Sequence, residues 1–435
     1  MLINFLKLFL SFIVIYYLLN TFLIYWVFDW SFNLIISLFK DFLWLIFIWI
    51  VLFFNLNKLI PYLKLYKNFF ILLFLYLFVW LVVSLLNDSS IYDIFIWIKY
   101  NIYFFIIFLT STFVWYVLKD KISKDNMLSF LNFVFTLIIV VIFAWIIWQL
   151  LKFGFKDEFI KYLWYWNVWD WAFGESPPVY YRTWEDWFPR LSWLFAWPNN
   201  YWFFLVAFFS FFIYKCIEFV DKNLLSPKDY IKWLLYSGVY IISWLLTFSR
   251  WFIVWTLIQF WYFLPKFIKQ SKKAIIWIVS SVIILIIWLT LFKLDSTIAH
   301  IETTFDSLHF AINNSTWLWF WTSWPAIHHS WEFLPENTYL QVFIDTWAIG
   351  FIIWVAMMFL IFIGLKTILD NNSNSKDPKT IKLNTYLIML TLWFYWLLFE
   401  WLFLHVFEDS MVNYLFFITY WLLFSYMYSK SHINN

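Results

Sequence analysis

Glycine is nearly missing from this chain. It occurs 5 times in 435 residues, where ordinary usage of about 7% supplies about thirty. So few glycines leave almost no residue for the left-handed turns and close backbone approaches that glycine alone makes freely. Tryptophan is the mirror excess, at 36, and it stands where turns are expected. The run Trp317-Leu-Trp-Phe-Trp-Thr-Ser-Trp-Pro325 makes little sense as a row of indoles and reads as a mobile, turn-rich loop once each Trp is taken as Gly. Ser192-Trp193-Leu194 and Ser249-Arg250-Trp251 read the same way. Many of these Trp, though not all, are accordingly read as a UGA codon that the source organism decodes as glycine. The alternative is a true excess forming aromatic belts at the membrane edges. Trp80 and Trp288 in helix centres, and Trp171 and Trp331 in loop interiors, lie away from such belts.

Cysteine is nearly missing too. The one thiol, Cys216, excludes a disulfide within the chain and any cysteine-based metal site. Charge is scarce, at 13% against 65% hydrophobic residues and a mean hydropathy of +0.77, which makes this a polytopic membrane protein. The formal net charge of +3 carries little meaning, because sign is distributed loop by loop, and no nucleic-acid partner is expected. Met1 to Tyr25 resembles a signal peptide but lacks a small-residue cleavage site and leads into further spans, so it reads as an uncleaved first helix.

Apolar runs of roughly 20 residues mark spans. Twelve are expected, at about 5–26, 41–56, 68–86, 97–118, 128–150, 197–219, 231–249, 251–266, 274–292, 346–366, 384–404 and 411–428. The second and eighth are short enough to be tilted or partly re-entrant. The fold class is therefore all-α, with two long loops on one side. In chain order the organisation reads as helices 1–5 (1–150), a first outer loop (151–196), helices 6–9 (197–292), a large outer loop (293–345) and helices 10–12 (346–435). Lysines set the orientation. Lys58/Lys64/Lys67, Lys119/Lys121/Lys124, Lys215/Lys222/Lys228/Lys232, Lys266/Lys269/Lys272/Lys273 and Lys366/Lys376/Lys379/Lys382 alternate with acid-rich loops and face the cytoplasm. Both termini then lie inside. The polar stretch Asn371–Lys376 reads as a flexible cytoplasmic linker.

Arginine is the third scarcity. Of 29 basic residues only Arg182, Arg190 and Arg250 are arginine, and all three fall on the outer side, against the positive-inside trend. The planar guanidinium suits bidentate binding of phosphate or carboxylate. Arg190 and Arg250 therefore read as an anion site at the membrane edge, suited to a lipid phosphate or diphosphate. Arg182 has two readings, the same anion site or an ion pair with Glu185 or Asp186.

The segments around these arginines form an ordered set. Arg190-Leu-Ser-Trp-Leu-Phe-Ala-Trp-Pro-Asn199 resembles the Arg-x-x-Gly-x-Phe-x-x-Pro-Asn motif of the O-antigen ligase and polymerase superfamily, with Trp193 at the Gly position. Leu245-Leu-Thr-Phe-Ser-Arg250-Trp is similar to the family's Leu-Thr-x-Ser-Arg-Gly segment, and Trp317-Leu-Trp-Phe-Trp to its Gly-x-Gly-x-Gly stretch. Glu336-Asn-Thr-Tyr-Leu-Gln341 and Asp345-Thr-Trp-Ala-Ile-Gly350 resemble its His-Asn-x-Tyr-Leu and Glu-x-Gly-x-x-Gly segments. The resemblance covers about 186–365. It departs at Glu336, where ligases of the family carry His.

The resemblance implies a metal-independent, cofactor-free glycosyltransferase of the cytoplasmic (inner) membrane, multi-pass and working on the outer face. It moves a glycan from an undecaprenyl-diphosphate carrier to an acceptor hydroxyl on a glycan or glycolipid, with membrane lipid around it. Arg190 and Arg250, with Arg182 as a weaker third, are expected to stabilise the charge that develops on the leaving diphosphate. Glu336 or His329 is the expected general base. Asn199, Ser249, Asn337 and Tyr339 are the expected substrate contacts. No metal site is expected; whether Glu302 and Asp306 converge is open from spacing alone. A polymerase of the same superfamily shares this mechanism and differs in the acceptor. A lipid-linked glycan flippase or transporter is the rival of a different class, disfavoured because the span centres are nearly free of charge.

Overall fold

The computed structural model describes residues 2–22, 33–86, 102–119, 122–162, 180–181, 190–191, 204–205, 212, 231, 235–236, 238–240, 242–243, 298, 302–309, 338–372, 377–400 and 413–433. Nearly all of them are helical. An apolar segment without water must satisfy its backbone hydrogen bonds internally, and a helix does so within one segment. The main helices are α1 (Leu2–Phe22), α2 (Asn33–Phe53), α3 (Leu56–Leu65), α4 (Lys67–Leu86), α5 (Tyr103–Leu118), α6 (Lys124–Tyr162), α7 (Thr338–Asn372), α8 (Pro378–Glu400) and α9 (Ile418–Ile433). A π-helical turn, Asn413–Phe417, leads into α9. Two short strands, β1 (Tyr180–Tyr181) and β2 (Arg190–Leu191), pair antiparallel.

Among the described residues, Lys67–Leu85, Lys124–Ile147 and Ala348–Asn371 are each long and apolar enough to cross a membrane. The sharply bent pair Phe39–Phe53 and Leu56–Leu65 makes a fourth if it counts as one span. That is the composition of a membrane protein, and the bend falls at the end of the second expected span, the one short enough to be re-entrant.

Several helix ends differ from the expected boundaries, and three of them show the physical reason. α6 runs on to Tyr162, twelve residues past the expected end at 150. Leu151, Phe155 and Phe159 recur every four residues there, and Asp157 stands four before Lys161, so the segment is amphipathic after its apolar run ends. α7 starts at Thr338, eight residues before the expected span at 346. Lys58 and Lys64, expected in a loop, lie in α3, which forms despite Pro61 inside it. Hydropathy reports fitness for hydrocarbon, whereas a helix continues for as long as its backbone bonds are made.

The chain forms two compact units. The first comprises Met1–Val51, Lys121–Thr256 and Asp409–Thr419. Here α1 packs along α6, and Lys7 Nζ donates to Ser129 Oγ at 3.3 Å. Lys40, Trp44, Phe47 and Val51 form the packed face of α2, while Phe39, Phe42, Leu45, Ile46, Trp49 and Ile50 face outward. An outward apolar face of this kind suits acyl chains. Trp44 is the centre of an aromatic group, with Phe9 at 5.1 Å, Phe47 at 5.5 Å and Tyr414 at 6.3 Å between ring centroids.

The second unit comprises Leu52–Asp120, Leu257–Glu408 and Tyr420–Asn435. α4 lies along α7. α3 is tied to α5 by polar bonds: Lys58 Nζ donates to Val117 O at 3.1 Å, and Tyr62 Oη donates to Leu109 O at 2.7 Å and lies 2.8 Å from Thr112 Oγ1. Lys58 thus meets one of the last carbonyls of α5, which lack partners within their own helix. Trp421 is the aromatic centre of this unit, with Phe104, Phe108, Phe394 and Phe424 at 4.7–5.8 Å. Gly364 on α7 lets α9 approach, because a Cβ there meets Phe424 Cζ at 2.9 Å. α8 opens with Pro378 at its first position, after Asp377, whose carboxylate accepts from Lys379 N, Thr380 N and Thr380 Oγ1.

Candidate functional site

Of the nine expected catalytic and substrate-contact residues, two fall among the described residues. Arg190 is the first residue of β2, and its Cα partner is Tyr181 of β1, with Leu191 opposite Tyr180. The two strands run antiparallel, and the backbone of Arg190 is held within their ladder. Arg182 follows Tyr181 directly and lies outside the described residues, as do Asn199, Ser249, Arg250, His329, Glu336 and Asn337.

Tyr339 is the second. It stands in the first turn of α7, next to Thr338, the first helical residue. Its hydroxyl donates to Leu398 O at 2.6 Å, near the C-terminal end of α8, and its ring meets Trp354 edge-on at 5.7 Å. Leu398 contributes one of the last carbonyls of α8, so Tyr339 closes that helix end as a cap does. Burial pushes the Tyr339 phenol up to about 12 from its usual value of 10.0. At physiological pH it is therefore a neutral donor whose proton is engaged by Leu398 O. The family resemblance implies a substrate contact for this residue, and the structure adds a structural bond.

Part of this segment is packed. Gln341 and Thr346 are buried, and Thr346 Oγ1 donates to Val342 O at 2.6 Å. A Cβ on Gly350 collides with the Thr346 side chain in the preceding turn. Gly350 also ends the Asp345–Gly350 motif segment, so here the motif's glycine has a local reason.

Residues 302–309 form one helical stretch. Glu302 and Asp306 are four apart, on one helix face, and both are exposed. Among the described residues no group of three or more metal-ligating side chains could hold an ion. Glu302 and Asp306 thus stand as two exposed acids on one helix face.

Sequence reasoning passed over Lys40, Asp41 and Tyr414. Lys40 Nζ lies 3.6 Å from Asp41 Oδ2, and Tyr414 Oη donates to Asp41 Oδ1 at 2.6 Å. The available signal was two adjacent charges inside the otherwise uncharged helix Asn33–Phe53. With the geometry in place, comparison with family models, with curated proteins and with solved structures returns no match.

Proposed function

We propose that the chain is an O-antigen ligase-like glycosyltransferase. It crosses the cytoplasmic membrane twelve times, with both termini inside, and transfers a glycan from a polyprenyl-diphosphate carrier to an acceptor hydroxyl at the outer face. One observation carries the reading: four motif segments, at 190–199, 245–251, 317–321 and 336–350, stand in family order and contain two of the three arginines of a lysine-rich chain. The local structure at two of them is compatible with this. Arg190 has a defined backbone position in β2, and the Tyr339–Gly350 segment is a packed helix start rather than a free loop.

In this mechanism Arg190 and Arg250 neutralise the diphosphate as the bond to the glycan breaks. Glu336, or His329 in its place, takes the proton from the acceptor hydroxyl as the new glycosidic bond forms. The test is glycan transfer by the full-length protein in vesicles carrying a polyprenyl-diphosphate-linked glycan and an acceptor. Arg250→Ala is expected to lower the rate by about 10²–10³-fold at an unchanged protein level, the usual loss when one charge-stabilising donor is removed. Transfer that survives the substitution rejects the role, and carrier flipping without any acceptor favours the flippase instead.

A further inference from the structure

The α3–α4 arm carries its charge in one place. From Leu52 to Leu86 the chain has three lysines, Lys58, Lys64 and Lys67, and no acid. The fold treats the three differently. Lys58 turns inward and donates to Val117 O. Lys64, in the last turn of α3, and Lys67, the first residue of α4, are exposed. Helical hydrogen bonds run across the junction, from Tyr66 N to Tyr62 O and from Phe70 N to Tyr66 O. Two lysines three residues apart therefore share one side of the arm.

Apolar side chains continue that side. Ile71, Phe74 and Phe78 follow Lys67 at helical spacing, and all three are exposed, as is Ile60 before Lys64. The opposite side is the packed one. Tyr62 and Phe69 are buried there, Tyr62 bonded to α5 and Phe69 stacked near Phe108 at 4.6 Å between centroids. Lys67 also stands at the end of Lys67–Leu85, a segment long and apolar enough to cross a membrane. From Lys67 to Phe78 the helix rises ~16 Å, about half of a hydrocarbon core of about 30 Å. That is the depth of one leaflet.

We propose that this stripe binds an anionic phospholipid. Its headgroup phosphate sits between the Lys64 and Lys67 ammonium groups, and its acyl chains lie along Ile71, Phe74 and Phe78. Lysine suits the edge of a bilayer, because its stem covers apolar surface while the ammonium reaches the headgroups. Each lysine at an anionic lipid surface favours binding about fivefold, and no acid on this arm opposes the pair. A soluble anion takes the lysines alone and leaves the apolar residues on either side of them in water. A lipid occupies both. The site rests on the chain lying in a membrane and is independent of glycan transfer.

The test is photolabelling of the full-length protein in phosphatidylcholine vesicles. Each sample carries a trace of one probe, phosphatidylglycerol or phosphatidylcholine, with a diazirine on the acyl chain, and adducts are mapped by peptide mass. In the wild type the phosphatidylglycerol probe is expected to label Asn68–Phe78 about tenfold more than the phosphatidylcholine probe, from two lysines acting together. Lys64→Gln with Lys67→Gln is expected to bring that ratio close to one while labelling by the phosphatidylcholine probe stays unchanged. Lys64→Arg with Lys67→Arg is expected to keep the wild-type ratio. Equal labelling of the wild type by the two probes overturns the proposal, as does a ratio that survives the double glutamine variant. If that variant does not fold, Lys64→Gln and Lys67→Gln taken singly decide, and a ratio unchanged in both overturns the site.

Discussion

In each compact unit a buried indole gathers an aromatic group, Trp44 in the first and Trp421 in the second, and the two groups differ in the polar side chains beside them. In the first, Trp44 packs with Phe9, Phe47 and Tyr414, and the neighbouring bonds run through a carboxylate and an ammonium. In the second, Trp421 packs with four phenylalanines, and the bonds that tie α3 to α5 and α9 come chiefly from neutral hydroxyls, those of Tyr62, Tyr66, Thr112 and Ser425. A neutral seam keeps its strength over the ordinary pH range, because tyrosine and threonine stay protonated. The first cluster instead sets a carboxylate beside an ammonium. The same aromatic architecture thus carries a charged pair in one place and a neutral seam in the other.

The largest test of that likeness is to remove each indole. Trp421→Ala and Trp44→Ala are each expected to lower the stability of the printed chain by about 3–5 kcal/mol, read as thermal unfolding in detergent. A loss at one hub alone breaks the comparison. So does a peptide mass showing glycine at 44 or 421 in protein from its native source. Next in size is the approach of α7 to α9. Gly364→Ala sets a methyl against Phe424, and overpacking of this kind costs about 1–3 kcal/mol. A neutral or stabilising outcome means that the Phe424 ring shifts aside. The smallest effect belongs to the seam: Tyr62→Phe is expected to cost about 1 kcal/mol, equally at neutral and mildly acidic pH. A pH-dependent loss there means that the seam is not neutral and erases the contrast.

Hydropathy located the helices better than their ends. Apolar runs expected at 5–26, 68–86 and 128–150 overlap α1, α4 and α6. Their continuation through Lys156–Lys161, the early start at Thr338 and the helical course through Pro61 follow from backbone bonding and amphipathic spacing, which an average over apolar residues does not register. The candidate site was legible in a different way. The motif order named Tyr339, but the acceptor of its proton, Leu398 O, lies 59 residues away. The bond from Tyr414 to Asp41 was harder still, because 373 residues separate the two. Two adjacent charges in a helix announce a cost, and only the fold says which distant side chain meets it. Arg182, Arg250, Glu336 and the other loop candidates rest on the motif reading.

The turn that opens α8 has a practical consequence. Asp377 receives the first free amides of that helix, Pro378 presets its first φ angle, and Thr380 adds its hydroxyl to the same carboxylate. The start of the helix is thus written in four consecutive residues, Asp377 to Thr380. A reporter tag or protease site placed between Ser373 and Ser375 should leave α8 wound to its first turn. That makes the stretch the place to mark this chain when asking on which side of a bilayer it lies.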